Sequence, residues 1–190
     1  MSVKKLQDRL LKPDEIDIRV STVKNNGSSF LLYKNARCDM SVLDETVGPM
    51  NWKREHTRDN ANCIISIWDE EKEQWIEKED TGVESYAEKA KGLASDSFKR
   101  AGFNWGIGRE LYTAPFIWVS SDTLPVKQNK NGKMALKGFP KIRVSRIDTA
   151  PDKHIRKLEI EADGKIVYSY TDPRNKKLSS LIKQNSADLV

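Results

Sequence analysis

Between Trp52 and Val83 three strand-length runs follow one another with almost no chain between them, and this spacing limits the fold sharply. Trp52 to Arg58, Asn62 to Trp68 and Gln74 to Val83 are separated by Asp59-Asn60 and by Asp69 to Glu73. Intervals so short and polar join antiparallel neighbours, because a parallel crossover takes a dozen or more residues. The spacing predicts an antiparallel meander. Directly after it, Ser85-Tyr86-Ala87-Glu88 has the form of a capping box, with Ser85 at N-cap and Glu88 at N3. The helix it opens sets Ala87, Ala90, Ala94, Phe98 and Ala101 along one face, and Gly102 reads as the C′ residue that closes it. The expected class is α+β, an antiparallel sheet packed on a central helix (a βββα-like core).

The same periods organise the flanks. Ser2 to Leu11 reads as a short helix stopped by Pro13. Ile16, Ile18 and Val20 alternate with Asp17, Arg19 and Ser21 as a half-buried strand, and Asn25-Asn26-Gly27 turns it into the run Ser28 to Tyr33, a hairpin. Ala36 to Val47 carries Met40, Leu43 and Val47 at helical spacing and ends at Gly48-Pro49. Trp105 to Tyr112 reads as another short helix and Ala114 to Val119 as an apolar, aromatic run. Lys127, Lys130, Lys133 and Lys137 lie among Asn129, Asn131 and Gly132, which predicts a loop from Ser120 to Gly138. Strand-like runs follow at Lys141 to Ile147, Lys157 to Glu161 and Lys165 to Tyr170, the last two around Ala162-Asp163-Gly164. The expected domains are a core at 1–119, a basic loop at 120–138, a β-rich extension at 139–172 and a basic tail at 173–190.

Charge narrows the partners. The chain has a net charge of +5, and residues 120–190 carry 15 basic against 8 acidic side chains. Such asymmetry fits an anionic partner such as nucleic acid, or a solvated face. No run approaches the roughly 20 apolar residues of a membrane-spanning helix, and Met1 to Lys12 lacks the apolar stretch of a secretory signal, so a cytoplasmic protein away from the membrane is expected. Cys38 and Cys63, with only His56 and His154 beside them, make neither a disulfide framework nor a structural metal site, and read as reduced thiols.

Few motifs suggest bond chemistry. Asp69-Glu70-Glu71-Lys72 loosely resembles a metal-dependent nuclease site, but it falls where two strands must turn and reads as a solvated tip. Gly106-Ile107-Gly108 follows a helix rather than a strand and lacks the third glycine of a dinucleotide loop. No Gly-Lys-Ser/Thr phosphate loop occurs. No catalytic residue, metal ligand or cofactor is expected. Asp96-Ser97-Phe98-Lys99-Arg100 puts two cations at a helix end, either complementing the helix dipole or forming a phosphate-binding edge. Trp52, Trp68 and Trp75 read as filling between sheet and helix. Trp105 and Phe116-Ile117-Trp118 read as sheet packing or as the seal of a subunit interface.

The string EKAKGLASDSFKRAGFNWGIGRELY, ending at Tyr112, with Thr81-Gly82-Val83 before it, resembles the Rad-fifty-two/Rad-twenty-two single-strand annealing family in its compact phage and prophage form. The likeness covers roughly Asp14 to Tyr112 and is most specific at Asp96 to Arg100. It implies protomers assembled into a ring or helical oligomer, with single-stranded DNA in a basic groove and annealing without ATP in recombination, in the cytoplasm of a bacterial host. On this likeness Arg19 falls on a basic strand residue, Tyr33 on a groove-lining tyrosine, and Lys99 and Arg100 on the paired phosphate-holding cations. Phe103 stands where the eukaryotic members carry a further arginine; Lys91, Lys34, Arg37 and Lys53 are candidate substitutes. The basic loop and tail read as charged disorder, or as adding nonspecific DNA affinity or contacting a single-strand DNA-binding protein. The rival readings are a metal-dependent nuclease using Asp69, Glu70 and Lys72, and a nucleic-acid-binding scaffold without annealing activity.

Overall fold

The meander forms as its spacing predicts: β3 (Trp52–Thr57), β4 (Asn62–Asp69) and β5 (Gln74–Thr81) pair antiparallel with β4 at the centre. The computed structural model describes residues 3–83 and 89–174, with the side chains of residues 3 and 89–91 left aside. Before the meander come α1 (Val3–Asp8), β1 (Asp17–Lys24), β2 (Gly27–Tyr33) and α2 (Ala36–Thr46). After it come α3 (Lys89–Asn104), β6 (Ile117–Ser120), β7 (Val126–Gln128), β8 (Met134–Leu136), β9 (Ile142–Thr149), β10 (Ile155–Ala162) and β11 (Lys165–Thr171). Short 3₁₀ turns occupy Pro13–Glu15 and Arg109–Thr113, the latter in place of the helix read from Trp105 to Tyr112. Antiparallel sheets with a few helices make the protein α+β. Among the described residues no helix is long and apolar enough to cross a membrane. The Ser85 capping box and the tail beyond Arg174 lie outside the described residues.

The described chain divides into two units, one from Met1–Leu11 and Lys34–Arg109, the other from Lys12–Tyr33 and the chain from Glu110 onward. The stretch 1–119 expected as one core contributes to both units. The β1–β2 hairpin leaves the meander because β2 pairs with β6, Gly27 opposite Ser120 and Phe30 opposite Ile117.

In the first unit, alternation along β4 sends Cys63, Ile65 and Ile67 toward α3, all 1% exposed or less. Phe98, Ala101 and Trp105 of the α3 region meet them, and α1 adds Leu6 against α2. Asn35 caps α2 by accepting hydrogen bonds from the backbone N–H of Arg37 and Cys38.

In the second unit the sheet β1-β2-β6 accompanies the sheet β11-β10-β9. Asp163 and Gly164, both at positive φ, form the two-residue turn between β10 and β11 that Ala162-Asp163-Gly164 predicts. The expected loop 120–138 contains a small hairpin, β7 paired with β8. Val126 opposite Leu136 and Gln128 opposite Met134 supply a pairing too short to stand out among the lysines.

Gly27 shows why the β1–β2 hairpin needs its glycine. A Cβ there would lie 2.4 Å from the Val119 carbonyl oxygen and 2.8 Å from the Trp118 ring. The Trp118 indole therefore packs against the backbone at the start of β2. Gly27→Ala is expected to destabilise the protein by about 1–3 kcal/mol through overpacking, seen as a lower urea midpoint at constant m. An unchanged midpoint would mean that the indole moves aside freely.

Candidate nucleic-acid interface

The α3 helix does not end at Gly102. It runs to Asn104 and closes with Gly106 at φ +98°, whose N–H donates to the Phe103 carbonyl while Ile107 N–H donates to that of Gly102. That pair of bonds is the Schellman arrangement, with Gly106 as C′. Gly102 sits inside the helix for a different reason: a Cβ there would come within 2.6 Å of Asp39 Oδ1.

Because the helix is longer than predicted, the cations at its C-terminal carbonyls are not Lys99 and Arg100. Lys78 Nζ donates to the Asn104 carbonyl at 2.9 Å, and Arg109 donates to those of Phe103 at 2.9 Å and Asn104 at 3.0 Å. Burial and the nearby Arg109 hold the Lys78 pKa below its ordinary value. With the dipole thus complemented by other residues, Lys99 and Arg100 face neighbouring carboxylates. Lys99 Nζ lies 3.8 Å from Asp96 and Arg100 Nε 3.4 Å from Asp80. Asp96 also accepts from the Val83 N–H at 3.0 Å. Gly82 lets this segment approach, since a Cβ there would be 2.6 Å from the Ser97 nitrogen. The acid of the Asp96-to-Arg100 element thus ties α3 to the chain leaving β5.

Lys34 does not line a groove. It is 7% exposed, and its ammonium binds Asp39 Oδ1 in a buried pair, with Asp39 at 0%. Gly102 and Gly108 leave the room for it, as a Cβ on Gly108 would meet Lys34 Cε at 2.5 Å. Asp39 Oδ2 has no hydrogen-bond partner. Burial pushes the Asp39 carboxyl up to about 6, against the opposing pull of Lys34 and, further off, Lys99. The ion pair with Asp39, five residues on across the start of α2, holds Lys34 inward.

The far face of the meander is acidic. Register places Lys53, Ser66 and Glu77 in one row and Glu55, Ile64 and Glu79 in the next. Among the described residues of these strands Lys53 is the lone cation on that face, with Nζ 4.7 Å from the Trp75 ring centre, and the glutamates there repel a phosphate backbone. Trp68 and Trp75 meet edge-to-face at 5.6 Å on this same side, opposite α3, which corrects their expected place between sheet and helix. Trp52 does take that place, stacking on Phe98 at 6.2 Å. Trp105 is buried, with Nε1 donating to the Ile65 carbonyl, and is no interface residue. At the β4–β5 turn Asp69 Oδ1 accepts from the N–H groups of Glu71 and Lys72, which lowers the Asp69 pKa. Among the described residues no group of three or more acidic, His or Cys side chains is arranged to hold a metal. Cys63 is sealed in the sheet, and burial pushes its thiol up to about 11. His56, half-buried with Nδ1 3.4 Å from Ser97 Oγ, has its pKa lowered by burial and by Arg54. Arg37 is exposed in the first turn of α2, and the side chain of Lys91 lies outside the described residues.

Arg19 and Tyr33 belong to the second unit, and the register sets them on one face: Asp17 opposite Tyr33, Arg19 opposite Leu31. A bulge at Ser21 resets the alternation, so Lys24, opposite Gly27, also projects from this side. Tyr33 is 40% and Leu31 45% exposed. The sequence reading missed Phe116 and Trp118 as members of this face. Trp118 pairs with Ser29, and Phe116, 77% exposed, stacks on Trp118 with ring centres 6.3 Å apart and 17° between planes. Their i, i+2 spacing is the signal that could have found them, since it puts two aromatics on the same side of an edge strand.

No family model, no curated protein and no solved structure matches this chain.

Proposed function

We propose that this protein binds single-stranded DNA and anneals complementary strands without ATP, as a ring or helical oligomer acting in recombination in the cytoplasm of a bacterial host. The observation that carries the reading is Arg19: exposed, engaged by no side chain among the described residues, and set beside the exposed Tyr33 on an open sheet face. An annealer must grip phosphates, which carry no sequence information, and leave base edges free for a complement. Arg19 in one unit, and Lys99 and Arg100 in the other, are cations of that kind. The pairs that Lys99 and Arg100 make with Asp96 and Asp80 are partly exposed, and such pairs are worth only about 0–1 kcal/mol, so a phosphate can compete for them. Tyr33 can stack on a base or ribose. Annealing forms and breaks no covalent bond, so it asks for no acid–base pair or nucleotide. In an oligomer, many weak sites act on one strand and raise its effective affinity.

The test is duplex formation from two complementary labelled oligonucleotides in the presence of EDTA and without nucleotide. The protein is expected to accelerate pairing over the spontaneous rate. Binding without acceleration would leave a scaffold. Strand cleavage on adding Mg²⁺, abolished in Glu70→Ala, would replace annealing with nuclease chemistry.

A further inference from the structure

We infer that Phe116 and Trp118 form a stacking shelf for a nucleobase of the bound strand, so that the second unit holds a base as well as phosphates. This rests on the single-strand reading above and goes beyond it, because that reading places stacking at Tyr33 and gives Phe116 and Trp118 no part. The shelf is constructed by the fold. The bare Gly27 leaves room for the Trp118 indole, which a Cβ there would meet at 2.8 Å, and Phe116 stacks on the indole at 17° with most of its own surface open. Tyr168 donates its hydroxyl to the Phe116 carbonyl at 3.3 Å, fixing the backbone that presents the ring. A cleft of about 360 Å³ has Phe116, Leu31 and Ser29 among its lining residues.

Charge selects the occupant. The three strands of this sheet contain one carboxylate, Asp17, against Arg19 and Lys24, and both cations project from the shelf side without partners among the described residues. The open Phe116 ring, on the same face as unpaired cations, matches a chain of alternating bases and phosphates. Stacking is indifferent to base identity, so the shelf would not compromise a general annealer, and each stacked base contributes about 1–3 kcal/mol.

The experiment compares binding of a thirty-residue oligothymidylate with an abasic oligonucleotide of the same length and charge, for the wild type, Phe116→Ala and Trp118→Ala, with circular dichroism as a check on folding. The wild type is expected to prefer the oligothymidylate. Phe116→Ala should weaken that complex by about 5- to 150-fold and leave the abasic complex unchanged. Phe116 is exposed enough that its truncation spares the core, so this variant decides the matter should Trp118→Ala fail to fold. Equal binding of both oligonucleotides by the wild type, or equal loss on both in Phe116→Ala, overturns the shelf and leaves the phosphate reading standing. Failure of the wild type to bind either overturns both. A fall in assembly mass by light scattering in Phe116→Ala, with selectivity for bases retained, would assign the shelf to contacts between copies of this chain and overturn the inference.

Discussion

Lys34→Met is expected to destabilise the protein by about 3–5 kcal/mol at neutral pH, the cost of leaving a buried carboxylate without its partner. The carboxylate is Asp39, fully buried, with one oxygen on Lys34 and the other unpartnered. The pH dependence separates charge from packing. With a folded pKa of about 6 against an ordinary 3.8, the protonation of Asp39 stabilises the fold fully below pH 3.8, and this contribution is lost as pH rises through 6. Removing Lys34 takes away the largest influence that lowers this pKa, so the variant's Asp39 titrates higher still. The deficit relative to wild type should therefore be large at pH 7.5 and shrink at pH 5, measured by urea unfolding at both. Adding Asp39→Asn to Lys34→Met should recover most of the loss at pH 7.5. A deficit equal at both pH values, or no recovery in the double variant, would show that lost packing rather than stranded charge is responsible.

The double variant Lys99→Ala/Arg100→Ala is expected to lose strand binding and annealing while staying folded and assembled. Both side chains are partly exposed and their ion pairs are weak, so the fold loses little. A hydrogen bond to a charged group contributes about 1.5–3 kcal/mol, or roughly ten- to hundredfold in affinity per residue. The true loss exceeds that of two missing cations, because Asp96 and Asp80 remain and now face the strand unopposed. In a plot of log K against log salt, the slope should become shallower by about 1.4, from about 0.7 for each of two phosphates on a single strand. Unchanged affinity and slope would remove α3 from the interface and leave the Arg19 face to carry binding alone.

Local pattern was enough for much of this. The meander, the α2 helix, the Asn25-Asn26-Gly27 and Asp163-Gly164 turns and the buried Cys63 all follow from periods of 2 and 3.6 and from turn chemistry, which act over a few residues. The end of α3 was misplaced by one turn, since either Gly102 or Gly106 can close a helix on sequence grounds. Asp39, remote in sequence, decides between them, because it occupies the space where a Gly102 Cβ would stand. The ion pair of Asp39 with Lys34 takes that lysine out of the candidate cations.

Amino-acid order alone established the α+β class, the turns, and which cationic and aromatic residues were at hand. Folding in three dimensions settled their use: which strand lies beside β2, that Lys78 and Arg109 take over the helix dipole, that Lys34 is spent on Asp39, and that Phe116 and Trp118 join Arg19 and Lys24 on one face. The reason is range. Hydrogen-bond periodicity and turn preference are properties of neighbours along the chain, whereas strand pairing, ion pairing and burial depend on residues that only the folded chain brings together.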